Sequence, residues 1–527
     1  MAGLTSYEKN VLRRVSVGDL LVRTAARVPN KVGLTFRDKT FTYRELNELV
    51  NRCANGLTKL GIKKGDKAAI LSHNCHQYVI YWWALMKLGA IITPLNFMLK
   101  GEEVRYIIDH SEAKAFFVED SLINNVIGIK DKMKGVQTFG YIKVGDAEIP
   151  EGWKNIEDLW SDENTADEPE VEIMAEDPAT LLYTSGTEAA PKGVLTSHLN
   201  YYTIIISALA DLRLTFDSCV ITGIPLYHVA AMYIFVAVIA LGAYTVMEYA
   251  PDPKEILEFT QDKKINLWIW PPALYSILPV MPDFDKYDLS SLKHCIIFGS
   301  LAPPSVIEKW KNILPDAGFM NYYGQTEMSP LGASLQPEDF DSKPESIGKS
   351  HVPLQLKVFD INDKELPPGE VGELVARGPA VMLGYYKEEE KTAQTFRKGW
   401  HHTGDIAKMD EEGFVYFVDR SKDIIKTGGE NVSSQEVEAM LFKCPGVVDA
   451  AVIGSPDPYW SEIVIAIVVI APDQEVKEED VIDFCKKDLA GYKVPKKIFI
   501  TDALPRNPSG KLLKNELRKK YAEQANS

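Results

Sequence analysis

The sequence predicts an α/β protein with a large N-terminal domain built from βαβ units, a hairpin-rich part, and a small α+β C-terminal domain. Three observations support this prediction. Apolar strand-like runs alternate with helical stretches over most of the chain. From Ile347 the pattern changes to short strands separated by turn residues. After Asp423 a new series of helix and strand signals begins.

The clearest βαβ unit spans Gly65 to Asn96. The apolar run AAIL is followed by an amphipathic stretch that ends at Gly89, and then by IITPL. Such a unit implies parallel strands. Before it, Thr42 and Glu45 have the spacing of a capping box at the start of a helix. The segments INLWIW, PPALYSILPV and HCIIFGS continue the alternation.

The hairpin-rich part is indicated by LQLKVFDINDKELPPGEVGELVARG, with turn residues at Asn362-Asp363 and Pro368-Gly369. Beyond it, Ser433 and Glu436 again have capping-box spacing, and two apolar strands and a further helix follow. This last stretch has a normal domain size of roughly 100 residues. The predicted division is residues 1–419, a hinge at 420–422, and residues 423–527.

Composition excludes several classes of protein. The 527 residues are 46% hydrophobic and 25% charged, as in ordinary globular proteins. A formal net charge of -16 argues against a nucleic-acid partner, which needs clustered cations. The six cysteines form no CxxC pair, which favours free buried thiols over disulfides or a zinc site. His73, Cys75 and His76 lie close together, but no second cluster completes a metal site.

The location of the protein is predicted from its apolar segments. The first residues carry charges where a signal peptide needs an apolar run, so we expect a cytoplasmic protein. Val229 to Met247 has no charged side chain and borders on the length of a membrane span. Gly242 interrupts it and basic flanks are absent, which favours a buried helix followed by a strand.

The segment LLYTSGTEAAPKGVLTSHLN, from Leu181 to Asn200, has the composition of a phosphate-binding loop. Backbone N–H groups, hydroxyl groups and a lysine are the groups that bind phosphates. It is not a Walker A loop, because Pro191 rather than glycine precedes Lys192. Alone, such a stretch is equally compatible with an ordinary turn.

Four further segments follow in order: NYYGQTE, HTGD, DRSKDIIKTGGEN and PRNPSGK. Together with the loop they resemble the acyl-adenylate-forming superfamily, which includes acyl- and aryl-CoA synthetases, firefly luciferase and nonribosomal adenylation domains. The resemblance extends from about Lys31 to Lys511. It implies that the hairpin-rich part is a small β-barrel-like unit. It also implies that the C-terminal domain is mobile and turns about a hinge at Lys422.

The resemblance also implies a nucleotide site. Tyr323 would stack on adenine, Asp405 and Arg420 would bind the ribose, and Glu327 with Thr187 would hold Mg²⁺. The implied ATP- and AMP-binding residues are Thr184, Ser185, Gly186, Thr187, Lys192, Gly299, Ser300, Leu301, Asn321, Tyr322, Tyr323, Gly324, Thr326, Asp405, Arg420 and Lys511.

Three more groups of residues follow from the resemblance. The implied catalytic residues are Lys511, Glu327, Lys192 and His228. The implied CoA-binding residues are Gly428, Gly429, Tyr492 and Lys496. The implied acyl-pocket residues are Tyr227, His228, Met232, Trp270 and Met328. Structural alternatives remain: a turn for Asp405, a solvated tail for Lys511, a core position for His228 and simple exposure for Tyr492 and Lys496.

The chemistry is self-consistent, because a carboxylate and MgATP are both anions that must be brought into contact. Lys511 and Mg²⁺ would offset this repulsion during displacement at the α-phosphate. Acyl-AMP and pyrophosphate would form, and a thiol would then displace AMP. We therefore expect an ATP-dependent acyl-CoA ligase that uses ATP, Mg²⁺ and CoA, with a homodimer left open.

The phosphate loop departs from the family pattern at Glu188 and Ala189, where Thr-Gly is usual. A carboxylate about 4 Å from a phosphate charge costs about 4 kcal/mol at an effective dielectric constant of about 20. Alanine also makes a left-handed backbone conformation costly. We therefore expect Glu188 to point away from the phosphates and ATP to bind more weakly or to a loop of different shape.

The acid is predicted from three segments, 227–234, 268–275 and 328–334, which contain no charged residue. An apolar carboxylate suits them, and we favour a fatty acid over an aromatic acid of the benzoate or cinnamate kind. Two alternatives come from other classes: a luciferase-like oxygenase and a non-catalytic nucleotide-binding homologue.

Overall fold

The computed structural model describes residues 3–161, 164–184, 191–299, 302, 304–428, 430–472, 474–506, 512–522 and 524–525. The helices are α1 Ser6–Val11, α2 Gly18–Arg27, α3 Tyr43–Lys59, α4 His76–Leu88, α5 Glu102–Ser111, α6 His198–Ala210, α7 Val229–Leu241, α8 Pro253–Lys263, α9 Pro272–Ile277, α10 Pro304–Ile313, α11 Glu389–Thr395, α12 Ser434–Leu441, α13 Glu478–Cys485 and α14 Lys514–Tyr521.

The strands are β1 Val32–Phe36, β2 Lys39–Thr42, β3 Lys67–Leu71, β4 Ile91–Leu95, β5 Ala115–Glu119, β6 Thr138–Ile142, β7 Lys154–Asn155, β8 Pro178–Thr184, β9 Lys192–Ser197, β10 Cys219–Thr222, β11 Tyr244–Met247, β12 Leu267–Trp270, β13 His294–Phe298, β14 Gly318–Gly324, β15 Gly332–Leu335, β16 Lys349–Ser350, β17 Gln355–Phe359, β18 Val371–Arg377, β19 Gly384–Tyr385, β20 Phe396–Arg397, β21 Trp400–Met409, β22 Val415–Arg420, β23 Ile425–Thr427, β24 Glu430–Val432, β25 Val447–Asp457, β26 Ser461–Ile470 and β27 Lys497–Ile500. The α/β class predicted from the sequence is confirmed.

The first large sheet contains strands in the order β16-β15-β14-β13-β12-β10-β11-β1-β2. Its central strands, from β1 to β14 in this order, pair in parallel. Antiparallel strands flank them on both sides. Parallel strands run in the same direction and are joined by crossover connections. Their C-terminal ends therefore lie along one edge of the sheet. Ligands bind at this edge in open α/β sheets.

The second large sheet has the order β19-β9-β8-β4-β3-β5-β6-β7. Strand β3, helix α4 and strand β4 form the predicted βαβ unit, and the two strands pair in parallel from Lys67↔Ile91 to Leu71↔Leu95. Strands β8 and β9 are antiparallel, with Thr184 directly opposite Lys192. The predicted phosphate loop therefore connects two hydrogen-bonded neighbours.

Helices α4 and α7 lie in the apolar core. The ring of Phe235 meets Trp82 and Trp83 edge-on, with centroids 6.1 Å and 5.9 Å away. Helix α7 is buried from Val229 to Ile239, and a helix that is apolar all round needs such an environment. It ends at Gly242 with φ +73°, and β11 follows, as predicted. Within the described ranges, no helix is long and apolar enough to cross a membrane.

The hairpin-rich part forms an antiparallel sheet of β17-β18-β21-β20, in which β22 also pairs with β21. The C-terminal residues form a fourth sheet, β24-β23-β26-β25, with β27 beside β26. Strand β22 ends at Arg420 and β23 begins at Ile425. The domain limits at 419 and 423 stay a prediction, and the two apolar cores on either side are separate.

The structure agrees with some local sequence predictions more fully than with others. Thr42 and Glu45 form the reciprocal capping box. Ser433 accepts a hydrogen bond from the Glu436 N–H, but the Glu436 carboxylate binds Lys493 instead of returning to Ser433. All six cysteines are free and buried, as expected. His73 binds Glu119, and in the described part of the chain no three potential ligands group to hold a metal.

Ser461, at the start of β26, adopts φ +72°, a left-handed conformation that favours glycine. We expect Ser461→Gly to raise the free energy of unfolding by about 1 kcal/mol, because glycine removes the Cβ clash. Denaturant midpoints of the two proteins measure the change. Ser461→Ala keeps the clash and should give no such gain, and equal effects of both substitutions would contradict this origin.

Candidate active site

A carboxylate, Asp405, organises the part of the site predicted to bind ribose. Asp405 on β21 is 2% exposed and lies opposite Arg420 on β22, with Nε and Oδ1 3.7 Å apart. The Tyr323 hydroxyl group donates to Asp405 Oδ2 at 2.6 Å. Gln325 Nε2 donates to the same oxygen at 2.7 Å. The structure thus brings Tyr323, Asp405 and Arg420 together, although they are up to 97 positions apart in the chain.

The phenol of Tyr323 remains the donor in this contact. Desolvation and the neighbouring Asp405 carboxylate raise the pKa of Tyr323 well above its ordinary value. Its hydroxyl group therefore fixes the ring beside Asp405. Gln325, which the motif analysis did not single out, also donates to the Thr403 carbonyl at 3.1 Å and joins β14 to β21.

Strand β14 separates its residues between two faces of the sheet. Asn321 is buried, and its Oδ1 has no hydrogen-bond partner among the described residues. This acceptor suits the amino group of adenine. Tyr322, on the opposite face, packs its ring against Tyr233 and His351, at 5.8 Å and 4.8 Å. Alternation along the strand thus directs Tyr322 into the core and away from Asn321 and Tyr323.

Gly324 ends β14 at a point where no side chain fits. A Cβ added there would lie 1.4 Å from the Pro330 carbonyl oxygen. Thr326 then begins a short 3-10 turn that ends at Met328, which is fully buried. Glu327 lies within this turn, shortly after Tyr323 in the chain.

Glu327 is connected to the phosphate-loop strands through Tyr385. The Tyr385 hydroxyl group donates to Glu327 Oε1 at 3.0 Å. Lys192 Nζ lies 5.8 Å from the centroid of the Tyr385 ring. Strand β19, which carries Tyr385, pairs with β9, which begins at Lys192. No motif indicates Tyr385, because this residue lies outside all of the motif segments.

A magnesium ion fits this donor set. Mg²⁺ in nucleotide sites usually has one or two carboxylate ligands and completes its coordination with phosphates and water. Glu327 is a carboxylate that the structure holds near the end of the loop strand through Tyr385. Thr187, the second predicted ligand, lies outside the described residues.

The predicted acyl-pocket residues do not form one cluster. Trp270 ends β12 and faces the same side of the sheet as Asn321, because Trp270 pairs with Ile297 and Ile297 with Asn321. Met232 lies on α7, on the Tyr322 side, where its sulfur accepts from the Tyr201 hydroxyl group at 3.4 Å. His228 caps α7 and accepts from the Ala230 N–H at 3.2 Å. The Tyr227 ring meets Phe97, 5.4 Å away.

Sequence reasoning also missed an acid beside Trp270. The three candidate segments contain no charged residue, but Glu248, just after β11, is buried next to Trp270. A Cβ added to Gly223 would lie 2.2 Å from Glu248 Oε2 and 2.8 Å from Trp270 Cη2. Glu248 stands among apolar residues in the run VMEYA, and this composition alone does not indicate that the acid faces inward.

The predicted CoA-binding residues lie on the C-terminal unit. Gly428 has φ +60° and donates its N–H to the Trp460 carbonyl at 2.9 Å. Tyr492 is 40% exposed, and Lys496 donates its backbone N–H to Val464. Lys422 lies in the connection between β22 and β23. Gly299, directly after β13, has φ +88°. Other predicted residues lie outside the described ones: Ser185, Gly186, Thr187, Ser300, Leu301, Gly429 and Lys511, together with Glu188 and Ala189.

Comparison with known families decides the assignment. Residues 21–386 match the AMP-binding enzyme family, and residues 436–511 match the AMP-binding enzyme C-terminal domain. The chain belongs to the AMP-binding enzyme family. It is thus a member of the acyl-adenylate-forming superfamily that the motifs resemble.

Relatives of this AMP-binding enzyme act on different acids. A feruloyl-CoA synthase from an Amycolatopsis species is 32% identical over 97% of this chain and all of that protein. The long-chain-fatty-acid–CoA ligase FadD13 of Mycobacterium tuberculosis is also 32% identical, over 92% of this chain and 94% of that protein.

Two solved structures are similar over nearly their whole length. An anthranilate CoA ligase in complex with anthranoyl-AMP has a TM-score of 0.89 and 27% identity, covering 97% of this chain and 98% of that one. ATP-bound MatB from Rhodopseudomonas palustris has a TM-score of 0.87 and 27% identity, covering 96% of this chain and 99% of that one.

We expect Asp405→Asn to raise the Michaelis constant for ATP by about tenfold or more, because charge-assisted hydrogen bonds contribute about 1.5–3 kcal/mol. Tyr323→Phe, which removes one donor and keeps the ring, should raise it less. Initial rates at varied ATP concentration provide the measurement. Asp410→Asn is the matched control, since Asp410 binds Lys343 at the far end of β21. Equal Michaelis constants for Asp405→Asn and Asp410→Asn would exclude a nucleotide role for Asp405.

Proposed function

We propose that this enzyme activates an apolar carboxylic acid at the C-terminal edge of the first sheet and transfers the acyl group to CoA. The chain is an AMP-forming acid–thiol ligase: ATP and the acid give acyl-AMP and pyrophosphate, and CoA then displaces AMP. One observation best supports the proposed site. Tyr323 and Gln325, which come just before Glu327 in the chain, both donate hydrogen bonds to Asp405.

The residues have separate roles in this proposal. Tyr323 and Asn321 hold adenine, and Asp405 with Arg420 binds the ribose hydroxyl groups. Lys192, beside the Tyr385 ring, offsets phosphate charge. Glu327 would hold Mg²⁺, which supplies positive charge to the phosphate oxygens when bound. Tyr385 orients Glu327 through the 3.0 Å hydrogen bond.

Lys511 is proposed to bridge the acid carboxylate and the α-phosphate. Two anions must meet in the first half-reaction, and an ammonium group there stabilises the charge that develops. In the second half-reaction the C-terminal unit turns, and the face that carries Gly428 and Gly429 replaces Lys511. The CoA nucleotide would then contact Tyr492 and Lys496.

The acid is proposed to be a fatty acid, as the uncharged segments suggest. An aromatic acid is the second candidate, because the buried Trp270 indole offers a flat wall and a relative 32% identical is a feruloyl-CoA synthase. The chain covers nearly the full length of relatives of both kinds, so length does not separate the two. A homodimer and a cytoplasmic location belong to the same proposal.

A panel of fatty and aromatic acids with ATP, Mg²⁺ and CoA tests the function. We expect pyrophosphate and AMP release that depends on the acid, together with a CoA thioester identified by mass. Lys511→Ala is the control: it should abolish acid-dependent pyrophosphate release and still form thioester from supplied acyl-AMP. Absence of acid-dependent release from the wild type would indicate a non-catalytic homologue, and oxygen uptake without thioester would indicate an oxygenase.

Glu188 and Ala189 are proposed to weaken ATP binding. Glu188→Thr with Ala189→Gly should lower the Michaelis constant for ATP, because it removes an anion near the phosphates and restores a flexible backbone. Glu176→Thr, at an exposed acid before β8, controls for the general loss of negative charge. An unchanged or higher Michaelis constant for the double variant refutes this role.

A further inference from the structure

Glu248 is a buried acid that forms no hydrogen bond to any residue in the described part of the chain. It follows β11 directly and is 1% exposed. Neither Oε1 nor Oε2 has a hydrogen-bond partner among the described residues. Buried polar groups in native proteins are almost always hydrogen-bonded, so an unpaired carboxyl group in a core requires an explanation.

The position of Glu248 connects it to the rest of the site. In the first sheet, Met247 pairs with Thr222, so the next residues along these parallel strands, Glu248 and Gly223, are neighbours. Gly223 in turn lies against the six-membered edge of Trp270, as the 2.8 Å distance from an added Cβ to Cη2 shows.

These neighbours continue across the sheet in one row. Trp270 pairs with Ile297, and Ile297 pairs with Asn321. The row therefore runs from Asn321, the candidate adenine residue, across five adjacent strands to Glu248. Four strand spacings correspond to about 19 Å. Glu248 thus lies on the same face as Asn321 but at the end remote from the nucleotide.

The environment keeps the carboxyl group uncharged. Burial, followed by the nearby negative charges of Glu255 and Asp252, raises the pKa of Glu248 to about 9. The Asp252 backbone N–H, which lies near the carboxyl group without forming a hydrogen bond, partly opposes this shift. At neutral pH the group therefore carries a proton. A neutral carboxyl group has one O–H donor and also accepts hydrogen bonds.

We propose that Glu248 is a specificity-determining residue that binds a hydroxyl group at the end of the acid remote from its carboxylate. This inference rests on the proposed function, and it names the kind of acid that the pocket takes. A hydroxyl group can accept a hydrogen bond from a protonated carboxyl group and also donate one to it. It therefore pairs with both the O–H donor and the acceptor oxygen of Glu248. An unsubstituted alkyl or phenyl end leaves the carboxyl group unpaired.

A charged amino group suits this place less well. It would need Glu248 in its ionised form, and burial together with Glu255 and Asp252 opposes ionisation. Selection for a hydroxyl group is also strong when a site is built to bind it, because the analogue without it leaves the buried partner unpaired. The expected discrimination is therefore at least about tenfold.

Matched pairs of acids test this inference: cinnamate with para-hydroxycinnamate, and octanoate with ω-hydroxyoctanoate. We expect the wild-type kcat/KM for CoA-thioester formation to favour the hydroxylated member by at least about tenfold in one pair. The pair that shows it identifies the acid as aromatic or aliphatic. Glu248→Met, which is apolar and of similar length, should reverse the preference. Glu248→Gln, which keeps a donor and an acceptor, should retain most of it.

Controls separate the possible failures. Asp262→Asn removes an exposed acid near the other end of α8 and should leave the ratio unchanged. Thermal unfolding of each variant shows whether it folds. If Glu248→Met does not fold, Glu248→Gln is the variant used for the test. Three results overturn the inference alone. The first is thioester formation without a preference for the hydroxylated acid. The second is a wild type that prefers the apolar acid, with the same ratio in a folded Glu248→Met or Glu248→Gln. The third is a preference for an ω-amino acid. No acid-dependent pyrophosphate from any acid overturns the proposed function and the inference together.

Discussion

The parallel pairing of β10, β11, β12, β13 and β14 is the constraint from which the site follows. Parallel neighbours must all end at the same edge, and each of these strands is followed there by a segment with a candidate role. The register fixes which residues share a face. Trp270, Ile297 and Asn321 lie in one row. A slip of one residue in β14 would exchange Asn321 with Tyr322 and direct the adenine candidate into the core.

Two buried carboxyl groups in this protein show how environment decides chemistry. Asp405 receives hydrogen bonds from Tyr323 and Gln325 and lies beside the Arg420 guanidinium. Among the residues that the structure describes, Glu248 has no donor of this kind, and its neighbours include the acids Glu255 and Asp252. The first environment stabilises a negative charge, which suits the proposed binding of ribose hydroxyl groups, and the second favours a proton.

The sequence predicted the features that depend on neighbouring residues. The βαβ unit at Gly65–Asn96 and the helix–strand division at Gly242 were evident because periodicity and turn residues act locally. The order of strands in the sheets was not evident, because lateral pairing joins distant segments. For the same reason the sequence does not indicate Tyr385, whose position beside Lys192 depends on the pairing of β19 with β9. The inward direction of Glu248 likewise depends on register, which composition does not reveal.

The connection at 420–422 explains how one site could serve two half-reactions. The Asp419 carboxylate, before the connection, accepts from the Ser434 N–H at 2.5 Å, and Ser433 Oγ donates to the Val418 carbonyl at 2.7 Å. Arg518 binds Asp423 at 2.6 Å, but both of these residues follow the connection and would turn together. The apolar cores on either side remain intact in such a turn. The hydrogen bonds of Asp419 and Ser433 that such a turn would break are polar contacts that water can replace. A joint of this kind costs little free energy to open, since each net hydrogen bond contributes only about 1 kcal/mol, whereas dividing an apolar core would cost far more.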